Sequence, residues 1–95
     1  MPAYVIALIT VTDPEGYEEY KALAPATIAK YGGKYVARGG RQELLEGDLE
    51  VNRISLLEFE SLEQAKRWWS SPEYEEAKPI RQRTASSSLI VVEGL

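Results

Sequence analysis

The stretch Tyr31–Arg41, YGGKYVARGGR, decides the fold. Its first glycine pair, Gly32-Gly33, predicts the left-handed C-terminal cap of a preceding helix. The residues Lys34–Arg38 predict a strand, and Gly39-Gly40 predicts a bulge beyond which Glu43–Glu46 would extend the same strand. We interpret the stretch as the hinge between two βαβ-like halves and as the wall of a pocket.

Upstream of this stretch, the sequence predicts a buried strand and then a helix. Tyr4–Val11 is apolar on both faces and rich in β-branched residues, as in a central strand. Asp13-Pro14-Glu15 combines a cap, a first-turn proline and an acid, which is typical of a helix start. Pro25 predicts a kink or a break in this helix. The residues predicted to share its core face are Tyr17, Tyr20, Ala24, Thr27, Ile28 and Tyr31.

Downstream, the sequence predicts a strand, an interrupted helix and a last strand. Arg53–Phe59 would pair back on the second strand as a hairpin. Ser61–Gln64 has the spacing of a capping box, with Gln64 reaching back to Ser61. Ser71-Pro72-Glu73 starts another helix, which Pro79 would end or bend. Ser88–Glu93 predicts the final strand.

This order of elements, β-α-β-β-α-β, indicates an α+β fold of the ferredoxin-like type. Right-handed crossovers place the strands of the antiparallel sheet in the order 4-1-3-2, with the helices on one face. Residues 1–95 would form a single domain. Because the first and last strands are apolar on both faces, we expect the sheet of an identical chain to cover the bare face, giving a homodimer.

Composition excludes several classes of function. The chain has 95 residues, no Cys, no His and a net charge of −4. Disulfides, thiolate catalysis, the usual metal ligands and the proximal histidine of haem proteins are therefore missing, and we expect neither a metal nor a cofactor. No basic block favours nucleic acid, and no apolar run would span a membrane. No signal peptide is apparent, so a cytoplasmic location is expected.

Six short motifs occur in order along nearly the whole chain: Asp13-Pro14, Ala29–Gly33, Ala37–Gly40, Glu58-Phe59, Ser71–Tyr74 and Val92–Gly94. In these motifs the chain resembles the domain-of-unknown-function 1330 family (DUF1330), a member of the dimeric α/β-barrel superfamily. The resemblance implies a ferredoxin-like fold and a homodimer whose two sheets close into a barrel. It implies no reaction, because the family has no established one. Cofactor-free monooxygenases, muconolactone isomerases and haem-degrading enzymes of the superfamily offer analogy alone.

Arg38 and Glu58 are the candidate catalytic residues. On an alternating strand, Arg38 shares a face with Lys34 and Val36, and a hairpin that turns around Asp48 would place Glu58 directly opposite it. Arginine can grip an anion with two hydrogen bonds, and the carboxylate would act as base or orient the ligand. The alternative is a cross-strand ion pair with no catalytic role.

Aromatic and basic side chains of the helices supply a second set of candidates. A phenol can hydrogen-bond a ligand within an apolar cavity. Of the adjacent pair Trp68-Trp69, only one ring can face the sheet, and the other would roof a pocket or meet a partner subunit. Arg81 would gate a pocket or bind an anion, with surface solvation as the alternative. The candidate ligand-binding residues are Tyr17, Tyr20, Trp68, Tyr74 and Arg81.

Two classes of function fit these features, and the sequence leaves open whether the protein is an enzyme. One is a cofactor-independent enzyme that acts on a small aromatic or anionic metabolite in a pocket between sheet and helices. The other is a non-catalytic dimeric module that binds a metabolite or a protein. A deep pocket containing Arg38 would favour the first, and a filled core with Arg38 in a satisfied ion pair would favour the second.

Overall fold

The computed structural model describes residues 1–95, which form one four-stranded antiparallel sheet and three helices. The sheet order is β2-β3-β1-β4, which is the predicted order counted from the opposite edge. The α+β ferredoxin-like arrangement is therefore confirmed. The elements are β1 (Ala3–Val11), α1 (Pro14–Lys30), β2 (Lys34–Arg38), β3 (Arg53–Phe59), α2 (Leu62–Trp69), α3 (Pro72–Thr84) and β4 (Ala85–Glu93).

Each helix begins at its predicted capping residue. In all three cases the cap side chain accepts a hydrogen bond from the backbone N–H three residues later, which satisfies a donor that the first turn leaves free. The predicted return contact of Gln64 to Ser61 is wrong. The Gln64 amide instead donates to the carbonyl of Tyr31 at 2.9 Å and ties α2 to the end of α1. The three caps are Asp13, Ser61 and Ser71.

Neither internal proline interrupts its helix. α1 continues past Pro25 to Lys30, and α3 continues past Pro79 to Thr84. Of the predicted alternatives, a break at Pro25 and an end at Pro79 are therefore wrong, while a kink at the first and a bend at the second stay predictions. Buried residues stand on both sides of each proline, and their packing holds the two adjoining turns in line. Tertiary packing thus outweighs the local cost of a proline within a helix.

The second and last strands differ from their predicted bounds. β2 ends at Arg38, and no strand lies between residues 39 and 52, so the predicted extension over Glu43–Glu46 is wrong. β4 begins at Ala85 rather than at Ser88, directly after α3. This early start is what brings Ser87 onto the sheet, opposite Ile9 of β1.

The helices cover one face of the sheet and leave the other without a helix. Along β1 and β3, residues on the helix side are buried while their neighbours on the other side are only half-buried. The open side is apolar as well, with Ile90 at 58% exposure. None of the three helices is long and apolar enough to cross a bilayer, and the cytoplasmic location stays a prediction. Apolar residues of the open face include Val36, Ile6, Leu8, Ile54, Leu56, Ile90 and Val92.

Candidate functional site

Two neighbouring rows of side chains on the helix side of the sheet form the floor of the candidate site. Ala7 and Ser55 are small, and they leave a space of about 20 Å³ beneath the helices. That volume accommodates about one water molecule. One row consists of Arg38, Ser55, Ala7 and Leu89, and the next consists of Arg53, Ile9 and Ser87.

A bulge inside β2 places Arg38 on this floor. Tyr35 pairs with Leu57 and Ala37 pairs with Leu56, so Val36 is an extra residue that shifts the register. Arg38 consequently lies opposite Ser55, on the helix side of the sheet. Its guanidinium donates to the carbonyl of Lys21 and lies over the Tyr35 ring, 4.8 Å from the centroid.

The predicted Arg38–Glu58 pair is wrong for the same reason. Glu58 lies opposite Lys34 and Tyr4, on the open face of the sheet. Its carboxylate is 3.9 Å from the Lys34 ammonium group, at a largely exposed site. Arg38 still borders the small cavity, whereas Glu58 does not. A catalytic role for either residue stays a prediction.

Arg81 is buried beneath the surface of α3 rather than solvated, with only 5% of the residue exposed. Its Nε donates to the Tyr74 hydroxyl at 3.1 Å, and its Nη1 donates to Oγ of Ser87 at 2.5 Å. No carboxylate stands within 4.0 Å of its guanidinium. Burying a positive charge among neutral partners costs free energy that a paired anion would offset.

Three predicted tyrosines meet around Arg81. The hydroxyl groups of Tyr20 and Tyr74 are 2.8 Å apart, and the rings of Tyr17 and Tyr20 have centroids 5.3 Å apart. Burial raises the pKa of Tyr20 strongly, and the neighbouring Tyr74 hydroxyl raises it further. Burial also raises the pKa of Tyr17, against the opposing charge of Arg53. Both phenols therefore stay protonated at neutral pH and can donate hydrogen bonds.

Sequence reasoning missed Arg53, which completes the site. It starts β3 on the helix side, and its guanidinium lies 5.6 Å from the centroid of the Tyr17 ring. Its Nε is buried without a hydrogen-bond partner. Gly39, at φ +61, backs this guanidinium, because a Cβ at that position would collide with it. The alternation of side chains along β3 could have predicted this position. Arg53 lies two residues before Ser55 and four before Leu57, so all three share the buried face of the strand.

As the helical geometry predicts, only one of the two adjacent tryptophans faces the sheet. Trp68 is buried, stacks on Tyr74 with centroids 4.2 Å apart, and donates from its indole N–H to Oγ1 of Thr27. Trp69 is 46% exposed and lies outside the core. Trp68 borders the small cavity, but its polar atom is already bonded, and its ligand-binding role stays a prediction.

The resulting constellation consists of hydrogen-bond donors. We call Tyr17, Tyr20, Arg53, Tyr74 and Arg81 the Arg–Tyr cluster. No Asp or Glu lines the cavity beside it, and no three acidic side chains stand together as a metal site would need. Two guanidinium groups and protonated phenols in an apolar setting can hold a carboxylate, a phenolate or an enolate.

The sequence model of DUF1330, a domain of unknown function, matches residues 2–95. The chain belongs to the DUF1330 family. No curated protein is significantly similar to this DUF1330 protein.

Solved structures share the fold of this DUF1330 protein at low sequence identity. A protein of unknown function from Rhodopseudomonas palustris is 23% identical, with a TM-score of 0.80 over 99% of this chain and 82% of its own. A dimeric ferredoxin-like protein of unknown function from Jannaschia is 10% identical, with a TM-score of 0.74 over 99% and 100%. SnoaB, a cofactor-independent oxygenase from Streptomyces nogalater, is 13% identical, with a TM-score of 0.69 over 99% and 93%.

Proposed function

We propose that this protein binds a small aromatic or enolic anion at the Arg–Tyr cluster and acts on it without a cofactor. The observation that carries the proposal is that three arginines, Arg38, Arg53 and Arg81, border a mainly apolar cavity that no Asp or Glu lines, and that Arg81 among them is buried. Charges in such surroundings are costly unless they are paired. A bound anion would supply the missing partner.

The cluster favours the ionised form of a bound hydroxyl group. The phenols of Tyr17 and Tyr20 are protonated donors at neutral pH, and burial moves the pKa of each still further above neutrality. Donors that are already oriented stabilise an oxyanion more than water does, since they need no reorganisation. A phenol or enol seated here would therefore have a lowered pKa, and its anion is the more electron-rich and more reactive species.

This mode of action fits a reaction that starts from an ionised hydroxyl group. The fold-level similarity to SnoaB, a cofactor-independent oxygenase, favours oxygenation by dioxygen as the reaction class. No Asp or Glu borders the cavity, so the proton of the substrate would leave to water or to another part of the substrate. The cavity has room for about one water molecule. Substrate binding therefore requires Tyr17 or Arg53 to move outward.

The same lack of a base favours a second candidate, a non-catalytic dimeric module that binds a metabolite. Such a module needs the anion contacts of Arg53 and Arg81 and nothing more. The two candidates make the same prediction for binding and different predictions for turnover.

Binding can be tested with 4-nitrophenol, which is coloured only when it is ionised. We expect the protein to lower the pKa of the bound phenol by roughly one unit, equivalent to about 1.4 kcal/mol. Arg53→Gln and Arg81→Gln should each remove the effect, whereas Arg67→Gln, on the exposed side of α2, should preserve it. An unchanged phenol pKa with folded wild-type protein would refute the proposal.

Turnover separates the enzyme from the binding module. Oxygen uptake in the presence of dihydroxyaromatic compounds should exceed that of an Arg53→Gln control at equal concentration. A wild-type protein that stabilises the nitrophenolate but accelerates no oxygen uptake with these compounds would be assigned to the binding-module class.

We also propose that two copies pair through their open sheet faces to form a dimeric α/β barrel. The open face carries exposed apolar residues from several strands, including Val36, Ile90 and Val92. A surface of this kind is typical of a subunit contact. The Jannaschia neighbour, which is described as dimeric, supports this assembly.

A further inference from the structure

A groove runs along the outer edge of β4, where α2 and α3 overhang the sheet. Its first part has a volume of about 350 Å³ and lies between α2 and β4. The lining of this part is apolar except for Lys66 and Ser70. Its apolar lining includes Val5, Ala65, Trp69, Leu89, Ile90 and Val91.

The groove continues into a polar part of about 380 Å³ between α3 and β4. Arg81, Gln82 and Ser87 contribute its polar lining. Trp69 and Leu89 line both parts, so the two form one continuous surface. The groove is therefore amphipathic along its length, apolar at one end and cationic at the other.

Its cationic end adjoins the Arg–Tyr cluster. Arg81 and Leu89 border the polar part of the groove on one side and the small internal cavity on the other. Within the groove, Arg81 is the only charged lining residue of the polar part, and no carboxylate neutralises it. A ligand that fills the groove can thus place an acidic group against Arg81.

Trp69 forms a fixed wall rather than a loose surface side chain. The Lys78 ammonium group lies over its ring, 3.6 Å from the centroid, and Lys78 is itself buried and paired with Glu75 at 3.0 Å. A cation over an aromatic face is attractive and restrains the ring. The same side chain lines both parts of the groove.

We propose that the β4 groove binds the apolar tail of an organic acid whose acidic head contacts Arg81. The proposal rests on the proposed function, and it specifies the ligand of the Arg–Tyr cluster as an acid with an extended alkyl or aryl tail. Such an acid complements the groove in both charge and polarity. An uncompensated guanidinium stands at one end of the groove, and an apolar cleft large enough for several methylene groups stands at the other.

Unbranched alkyl carboxylates from butanoate to decanoate, each below its micelle-forming concentration, test this by titration calorimetry. We expect the affinity to rise about fourfold for each added methylene until the cleft is filled, the value expected for burial of one CH₂ group. Trp69→Ala should flatten this dependence on chain length. Leu49→Ala, with a similar exposure of 49% in the β2–β3 loop, should leave it unchanged. Arg81→Gln should weaken all acids by a similar factor.

The possible results separate the two proposals. Equal binding of short and long acids, together with a lowered pKa of bound 4-nitrophenol, would overturn the groove proposal and leave the proposed anion site intact. If affinity does not depend on chain length and the pKa of 4-nitrophenol is also unchanged, the proposed function is overturned as well. Trp69→Ala protein that becomes monomeric with an unchanged chain-length dependence would identify the groove as a subunit contact and would also overturn the proposal.

Discussion

Arg38 donates a hydrogen bond of 2.9 Å from Nη2 to the carbonyl oxygen of Lys21. This carbonyl lies four residues before Pro25, whose nitrogen has no hydrogen to offer it. Arg38 of β2 therefore supplies the donor that Pro25 removes from α1. The contact links the second strand to the middle of the first helix, and it gives Arg38 a structural role beside any role in ligand binding.

A double-mutant cycle between these two positions tests that link. Arg38→Ala should destabilise the protein by about 1 kcal/mol, because the Lys21 carbonyl loses its partner. In a Pro25→Ala background the substituted residue has a backbone N–H that can bond to this carbonyl, so the loss of Arg38 should cost only about 0.5 kcal/mol. Urea denaturation followed by tryptophan fluorescence measures both differences.

Equal costs in the two backgrounds would show that the contact does not compensate for the proline. Lys34→Ala, on the same strand but on the open face, serves as the control and should cost little in either background. Measuring the binding of 4-nitrophenol to Arg38→Ala in parallel tests the predicted ligand-binding role of Arg38.

The bulge at Val36 explains why the sequence predicted the topology but not the site. Helix caps, strand runs and glycine turns are local signals, and they sufficed for the order and pairing of the elements. A single extra residue in a strand inverts every later side chain, and its position depends on pairing across the sheet. The Gly39-Gly40 pair suggested a bulge after Arg38, whereas the register shift occurs before it. Arg38 was consequently paired with Glu58, which lies on the opposite face of the sheet.

The sequence did not predict the burial of Arg81, and the reason is related. Its position after Pro79 suggested an exposed end of the helix, but α3 continues to Thr84 and carries Arg81 over the sheet. Ser87, its partner, was predicted to lie before the last strand rather than within it. Both errors concern how far an element extends, which tertiary packing decides and local sequence does not.

Alkaline pH should lower the free energy of unfolding, because the Tyr20 phenol is buried. Burial raises the pKa of this phenol in the folded protein, so the unfolded chain releases its proton first, above pH about 10. The Tyr20 phenol therefore makes its full contribution to stability below that pH, and this contribution declines as the pH rises above it. Tyr20→Phe should make the decline shallower. Urea denaturation between pH about 8 and about 11 measures how the free energy of unfolding falls with pH. Tyr4→Phe is the control and should show the same dependence on pH as the wild type.

Acid should weaken the contact between the end of α1 and the start of α3. The Lys30 ammonium and the Tyr31 hydroxyl bond to the Glu73 carboxylate at 2.5 and 2.7 Å, and they lower its pKa from 4.5 to about 2. This contribution to stability is present above pH 4.5 and is lost as pH falls towards 2. Glu73→Gln should therefore flatten the acid limb of the stability curve.

Glu76→Gln, a change on the same helix at a residue without an ion pair, is the control for this measurement. It should leave the acid limb as steep as in the wild type. If the two variants behave alike, the Lys30–Glu73–Tyr31 contact does not contribute to the folded state in the way proposed.

If two copies pair through their open sheet faces, a charge introduced on that face should weaken the dimer, whereas a charge introduced on a helix should not. Wild-type protein should have twice the mass of one chain in analytical ultracentrifugation at micromolar concentration. Ile90→Asp places a charge on the proposed interface and should raise the dissociation constant at least about a hundredfold, or roughly 3 kcal/mol. Leu23→Asp, on the exposed side of α1, should leave the dimer intact. A monomeric wild type would exclude the barrel assembly.

Buried Arg81 and half-buried Arg53 should differ in what they contribute to stability. Arg81 bonds to Tyr74 and Ser87, so Arg81→Met removes two hydrogen bonds; Tyr74 keeps its bond to Tyr20, but Ser87 loses its partner, and the change should cost about 2 kcal/mol. The Nε of Arg53 has no partner, so Arg53→Met removes an unpaired polar atom and one of two nearby positive charges. We expect its effect to lie within about 1 kcal/mol of zero or to be stabilising.

Both methionine variants should nevertheless lose the binding of 4-nitrophenol, because each removes a positive charge from the cavity. A residue that can be replaced without loss of stability, but not without loss of binding, is held in the fold for its ligand. Urea denaturation and the nitrophenol titration on the same preparations measure the two properties side by side. A loss of stability in Arg53→Met as large as that in Arg81→Met would assign Arg53 a structural role and leave Arg81 as the anion contact within the Arg–Tyr cluster.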